Sequence, residues 1–152
     1  MKPDARILQL LDECVDLTLA TVRPDGAPQA NIVNYAHEGL EIFVATDRSS
    51  AKVRNLLSCA RAALALRGDY SRWSEVRGLS IDAIGEVLAD DSADAQRAKD
   101  CLARRFPDTV ATPTPQDPAT TVYLKLTPLR IVLIDYERGY GHRETHAMSA
   151  PN

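Results

Sequence analysis

Hydrophobic positions along the chain follow two rhythms. Residues 4–15 carry Ile7, Leu8, Leu11, Cys14 and Val15 at helical spacing, with Asp4 after Pro3 as the cap. From Leu17 the rhythm changes to strands: residues 17–22, 28–36 and 40–45, with Leu40, Ile42 and Val44 alternating toward one face. Arg23-Pro24-Asp25-Gly26 and His37-Glu38-Gly39 read as the turns between them, so these three strands are expected to form an antiparallel meander. Helical spacing returns at Val53, Leu56 and Leu57, which predicts a short helix over 50–58. Strands follow at 61–66 and 79–88, separated by a loop that holds Tyr70 and Trp73. Gly85 within the second of these strands marks a bulge or a close backbone approach. Ala95, Ala98, Leu102 and Phe106 make the stripe of a helix over 91–106, capped by Asp91 or Ser92. A long last strand runs over 121–136, where Pro128 demands a bulge or a division into two strands.

Strands outnumber helices and their connections are short. The pattern predicts a mainly β (α+β) domain over 1–142, a six-stranded antiparallel split β-barrel with flanking helices, because closure removes exposed edges. Residues 107–119 carry Pro107, Pro113, Pro115 and Pro118 and read as an ordered surface loop or a partner-wrapping segment. Residues 143–152 are polar and are expected to be a flexible tail.

Composition narrows the function classes. The net charge of −3 argues against a general nucleic-acid binder, whose affinity rests on Lys and Arg at phosphates. No run approaches the ~18 apolar residues of a membrane span, and the start has no apolar leader, so a cytoplasmic location is expected. The three cysteines, Cys14, Cys59 and Cys101, have no CxxC spacing; free thiols are expected, with no metal site. His142 and His146 stand four apart but lack a third ligand, and no catalytic residue can be assigned.

The informative segment is Thr46 to Lys52. A strand gives way to a helix there, and Arg48, Lys52 and Arg54 fall within seven residues of an acidic chain. Unpaired N–H groups of a first helical turn, together with the helix dipole, favour an anion. Ser49, Ser50 and Lys52 add donors suited to a phosphate monoester. The same spacing also fits an ordinary capped surface helix, and the segment lacks the glycines of a P-loop.

The order of parts resembles the FMN-binding split barrel of the pyridoxamine 5′-phosphate oxidase-like superfamily. Leu19-Ala20-Thr21-Val22, Asp25-Gly26, Pro28, Ile42-Phe43-Val44-Ala45-Thr46, Ser50-Ala51-Lys52, Asn55-Leu56-Leu57, Gly85-Glu86-Val87 and Gly139-Tyr140-Gly141-His142 carry the resemblance. It implies that Thr46, Ser50, Ala51 and Lys52 meet the FMN phosphate. It also implies that backbone groups of Asn31, Ile32, Val33 and Asn34 face the flavin ring, in a homodimer with the cofactor between subunits. Asn31 stands where the oxidases carry an arginine, Ala51 where they carry a further basic residue, and the basic C-terminal ending of the oxidases is missing. Arg48 or Arg54 is expected to compensate. The implied function is an FMN-dependent oxidoreductase passing electrons from a reduced nicotinamide to a small-molecule acceptor, not a true pyridoxamine phosphate oxidase. The alternatives are a flavin carrier or redox sensor, a haem-binding or haem-degrading protein, and an F420-dependent protein.

Overall fold

The computed structural model describes residues 2–108 and 119–149. Most of the proline-bearing stretch expected as a surface loop lies outside the described residues. Helix α1 (Ala5–Glu13) starts where the Asp4 carboxylate accepts the Arg6 N–H, and it buries Ile7, Leu10 and Leu11. Helix α2 spans Ala51–Ser58 and α3 spans Ala93–Arg105, the latter capped by the Ser92 hydroxyl on the Ala95 N–H. The strands are β1 (Asp16–Val22), β2 (Pro28–Asn34), β3 (Ala36–Glu38), β4 (Glu41–Asp47), β5 (Arg61–Arg67), β6 (Arg77–Val87), β7 (Thr121–Asp135) and β8 (Arg143–Ala147). The split-barrel class holds, with eight strands in place of the expected six. The two additions are β3, where a turn was expected, and β8, in the expected tail.

The sheet is antiparallel, in the order β2-β1-β5-β6-β7-β4-β3, with β8 paired to β7. β2 ends at Asn34 and β3 begins at Ala36, yet they lie at opposite ends of that path. One residue joins the two ends, so the sheet must roll until they meet. That residue is Tyr35, fully buried, whose hydroxyl donates to the Leu11 carbonyl at 2.7 Å. The expected three-strand meander therefore breaks at Tyr35: β1 pairs β2, but β4 pairs β7. Burying the Tyr35 ring turns the chain out of the β2 ladder, which leaves β2 as an edge strand.

Leu17, Leu19, Leu64, Leu79, Ile81, Leu124, Ile131 and Leu133 fill the barrel. Phe43 points to the other face of β4 and packs with Ala95, Ala98 and Cys101 of α3. The bulge demanded by Pro128 is present: Asp82 faces Arg130 and Ala83 faces Pro128, so Leu129 is the extra residue. Gly85 serves the close approach, because a Cβ there would lie 2.6 Å from Leu56 Cδ2 of α2.

The tail expected to be flexible is docked through residues 143–147. Arg6 accounts for much of this. Its guanidinium bonds Asp4 at 2.8 Å, the buried Asp135 at 3.2 Å, and Glu144 of β8. Hydrogen bonds from His142 and then from Arg6 hold the Glu144 carboxyl down to about 2. Arg6 likewise holds Asp4 below the usual carboxylate range. A carboxylate depressed on folding contributes stability above its unfolded pKa and loses it as pH falls through the folded value. β8 is therefore expected to stay protected from hydrogen exchange at about pH 3 and to open near pH 2. In Arg6→Ala the opening should move up toward about pH 4, the ordinary glutamate range; an unmoved profile would show that Arg6 does not hold the strand.

Candidate functional site

β4 ends at Asp47, and its carboxylate shapes the next three residues. It accepts the Ser49 N–H at 2.7 Å and the Ser49 hydroxyl, while the Ser50 N–H donates to the Asp47 carbonyl at 3.0 Å. Such a turn brings an extended chain directly into a helix. The same bonds, that of the Ser49 hydroxyl first, hold the Asp47 carboxyl below its usual range.

Thr46, Ser50 and Lys52 are brought together by this turn. The Lys52 ammonium donates to Thr46 Oγ1 at 3.2 Å, and the Thr46 hydroxyl donates to Ser50 Oγ at 3.4 Å. Ser50 stands at the N-cap of α2, but its hydroxyl makes no capping hydrogen bond. The first-turn N–H groups, with Ala51 leading the helix, thus keep their donors for something else. Two hydroxyls, one ammonium and the positive end of a helix form a donor set that fits a phosphate.

The arginines expected to reinforce this cradle do not. One Arg48 nitrogen reaches both carboxylate oxygens of Asp90, at 2.9 and 3.0 Å, and the Thr121 carbonyl. Arg54 donates to the Ser49 carbonyl. Asp90 lies before α3 and pairs with Arg48.

The four expected ring-facing residues occupy consecutive positions of β2. Asn31 and Val33 share the face of the buried Leu19 and Leu17, their partners on β1. Ile32 and Asn34 point the other way; Ile32 is 77% exposed, and Asn34 donates to the Val15 carbonyl at 3.3 Å. β2 pairs only with β1 among the described residues, so alternate backbone groups on its free edge are open to a ligand.

Asn55 joins the cradle to this strand, a role that spacing alone did not reveal. Its amide donates to Thr21 Oγ1 and to Gln29 Oε1, both at 3.0 Å, and it is buried. Leu57, read as part of the apolar face of α2, is 71% exposed; Asn55 takes its place inside. The signal available was an asparagine between Val53 and Leu56, on the side the helix must bury. Asn55→Ala should cost about 1–3 kcal/mol, since the buried Thr21 and the half-buried Gln29 both lose their donor, and a thermal melt unchanged from wild type would refute the latch.

Other candidates settle elsewhere. His146 lies on β8, with a ligand atom close to those of Asp4 and Glu144. The Arg6 guanidinium bonds both of these carboxylates, so the cluster already has its cation. Trp73 is 69% exposed and meets Tyr140 edge to face at 6.4 Å, while Tyr70 lies under Arg67. All three cysteines are free. No helix among the described residues is long and apolar enough to cross a membrane. A groove of about 980 Å³ lies beyond the far end of β1 and β2 from the cradle, between Cys14, Asp16, Ile32, Arg67 and Arg77.

Comparison with known proteins agrees with this architecture. A family model described as pyridoxamine 5′-phosphate oxidase matches residues 3–135. No curated protein matches the sequence. Among solved structures, the chain is similar to a haem-binding protein from Mycobacterium smegmatis (TM-score 0.77, 17% identity). That match covers 97% of this chain but 59% of the other. It is similar to a conserved hypothetical protein from Mycobacterium tuberculosis (TM-score 0.74, 23% identity), covering 100% of this chain and 94% of that one. It is also similar to an F420 reductase (TM-score 0.63, 24% identity), covering 81% of this chain and 93% of that one. Likeness at these identities shows the fold.

Proposed function

The chain belongs to the pyridoxamine 5′-phosphate oxidase-like family of split barrels, and from that premise we propose that it binds a flavin-type cofactor through its phosphate. FMN is the principal reading. Thr46, Ser50, Ala51 and Lys52 hold the phosphate, and backbone groups of Asn31, Ile32, Val33 and Asn34 receive the ring. The observation that carries this is the convergence of the Lys52 ammonium and two hydroxyls on a helix N-terminus whose cap residue does not cap. A bound flavin would supply hydride transfer between a reduced nicotinamide and a small acceptor. The residues of the chain bind and orient. Backbone donors on the free edge of β2 suit ring carbonyls, and Asn55 keeps that strand fixed against α2. Asn31 and Ala51 replace basic residues of the oxidases, so pyridoxamine phosphate oxidation itself is not proposed.

We also propose a homodimer, with the cofactor at its border. The middle of the outward face of β1, β2 and β5 is built of small or apolar side chains, with Arg61, Arg67 and Asp16 at its ends: Ala20 pairs with Ala30 and Ala63, and Thr18 pairs with Ile32 and Ala65. A second copy covering this face would bury the exposed Ile32 and close a cleft over β2. Ile32→Glu is expected to yield monomers by light scattering and to lose bound flavin; a dimer that persists in that variant places the interface elsewhere.

The absorbance spectrum of the purified protein tests the cofactor. Flavin bands, present as isolated or after addition of FMN, support the reading. A Soret band would support the haem reading, which the Mycobacterium smegmatis neighbour motivates. A protein that takes up neither FMN, F420 nor haem defeats every cofactor reading. Stopped-flow reduction by NADH or NADPH separates an enzyme from a flavin carrier or sensor.

A further inference from the structure

The polar cluster between the start of α1 and β8 contains two buried atoms that lack a hydrogen-bond partner among the described residues. Arg6 lies at its centre. Arg6 Nη2 bonds Asp4 Oδ2 at 2.8 Å and Glu144 Oε2, while Nη1 bonds Asp135 Oδ2 at 3.2 Å. The other oxygen of Asp135, Oδ1, is buried and unpartnered, in a residue that is 4% exposed. His146 Nε2 is also buried and unpartnered, 4.0 Å from both Asp4 Oδ2 and Glu144 Oε2. Both hydrogens of Nη2 go to the two carboxylates, so that nitrogen has none for His146. Buried polar atoms without partners are rare and costly, and two in one cluster call for an explanation.

We propose that Asp4, Glu144 and His146 form a binding site for a divalent transition-metal ion, with zinc the best match, and that Arg6 holds the place of the metal in the metal-free chain. Asp4 Oδ2, Glu144 Oε2 and His146 Nε2 lie within 4.8 Å of one another. Two carboxylate oxygens and one imidazole nitrogen are zinc ligands, whereas magnesium and calcium select oxygen alone. The ligands are held in advance. Asp4 Oδ1 accepts the Arg6 N–H at the start of α1, which fixes the carboxylate whose Oδ2 meets the cluster. Glu144 and His146 are two apart on β8 and so share one face of the strand. His142 Nε2 bonds the other Glu144 oxygen, Oε1, at 3.0 Å and orients that ligand from behind.

One exchange satisfies both orphaned atoms. A metal ion seated where Nη2 now stands takes the lone pair of His146 Nε2. The displaced guanidinium, already on Asp135 Oδ2, closes a two-point fork onto Oδ1. The metal then clasps the start of α1 to β8, with a position left for water. This role is a staple between distant segments and is separate from the cradle on α2.

The test is calorimetric titration of the full-length protein, first stripped with a chelator, with zinc chloride. One ion per chain is expected, together with a melting midpoint raised by about 5 °C or more at saturating zinc. Magnesium chloride should leave the midpoint unchanged. His146→Ala, or His146→Phe if the first variant does not fold, should weaken zinc binding at least about ten-fold. Arg6→Gln removes the competing cation and should bind zinc at least as tightly as the wild type. Cobalt in the same site should show the spectrum of nitrogen and oxygen ligands, without a thiolate band. A wild type that takes up no zinc, binding that His146→Ala leaves unchanged, or a thiolate band from a cysteine overturns the site. Zinc binding lost in Arg6→Gln overturns the exchange between metal and guanidinium.

Discussion

Lys52→Ala is expected to weaken FMN binding by about ten- to a hundred-fold, the worth of a charge-assisted contact of about 1.5–3 kcal/mol. Riboflavin, which lacks the phosphate, should bind the variant as it binds the wild type. This pairing makes the result diagnostic. A loss shared by both ligands would mean that Lys52 supports the fold of the site and not the phosphate. No loss for either would place the phosphate elsewhere. The fold should tolerate the change. The ammonium bonds only the Thr46 hydroxyl, and residue 52 lies in the first turn of α2, where alanine is a good helix former. Lys52→Arg should recover little, because a planar fork does not replace a point charge seated on the Thr46 hydroxyl.

The expectation for Lys52 could be written from the sequence because its surroundings are local. Thr46, Ser50 and Lys52 lie within one turn and one helical cap, and Asp47 directs the turn through a bond to Ser49, two residues on. The same holds for most elements. The Asp4 and Ser92 caps, the alternation of β4 and the bulge at Pro128 are consequences of neighbouring residues. What escaped was set by distant partners. β8 reads Arg143-Glu144-Thr145-His146-Ala147, with no apolar alternation to announce it; it is a strand because Glu144 meets Arg6, 138 residues away. Arg48 looked free for a phosphate until the chain returned Asp90 to it. The meander ended at Tyr35 because that ring had a place prepared by α1. Asn55 belonged to the recognised motif, but its partners lie on β1 and β2, which only the rolled sheet brings to α2.

The rolled sheet also fixes how near α2 can come, and Gly85 is the control point. Gly85→Ala would set a Cβ 2.6 Å from Leu56 Cδ2 and 3.2 Å from Leu126 Cδ2. Leu56 and Leu126 are both buried, 4% and 0% exposed, so neither has open space to rotate into. The remaining response is a shift of α2 away from β6. Overpacking of this kind costs about 1–3 kcal/mol, seen as a lower midpoint in chemical denaturation. Because α2 carries Ser50, Lys52 and Asn55, the same shift should loosen the cradle, and FMN affinity should fall along with stability. A double-mutant cycle separates contact from coincidence. Leu56→Ala alone leaves a cavity and should cost about 2–5 kcal/mol. With Gly85→Ala added, the new methyl enters the space that Leu56 vacated, so the double variant should be less destabilised than the two single costs combined. Costs that simply add would show that residues 85 and 56 do not compete for the same space, and that α2 is positioned by Asn55 and not by the missing side chain of Gly85.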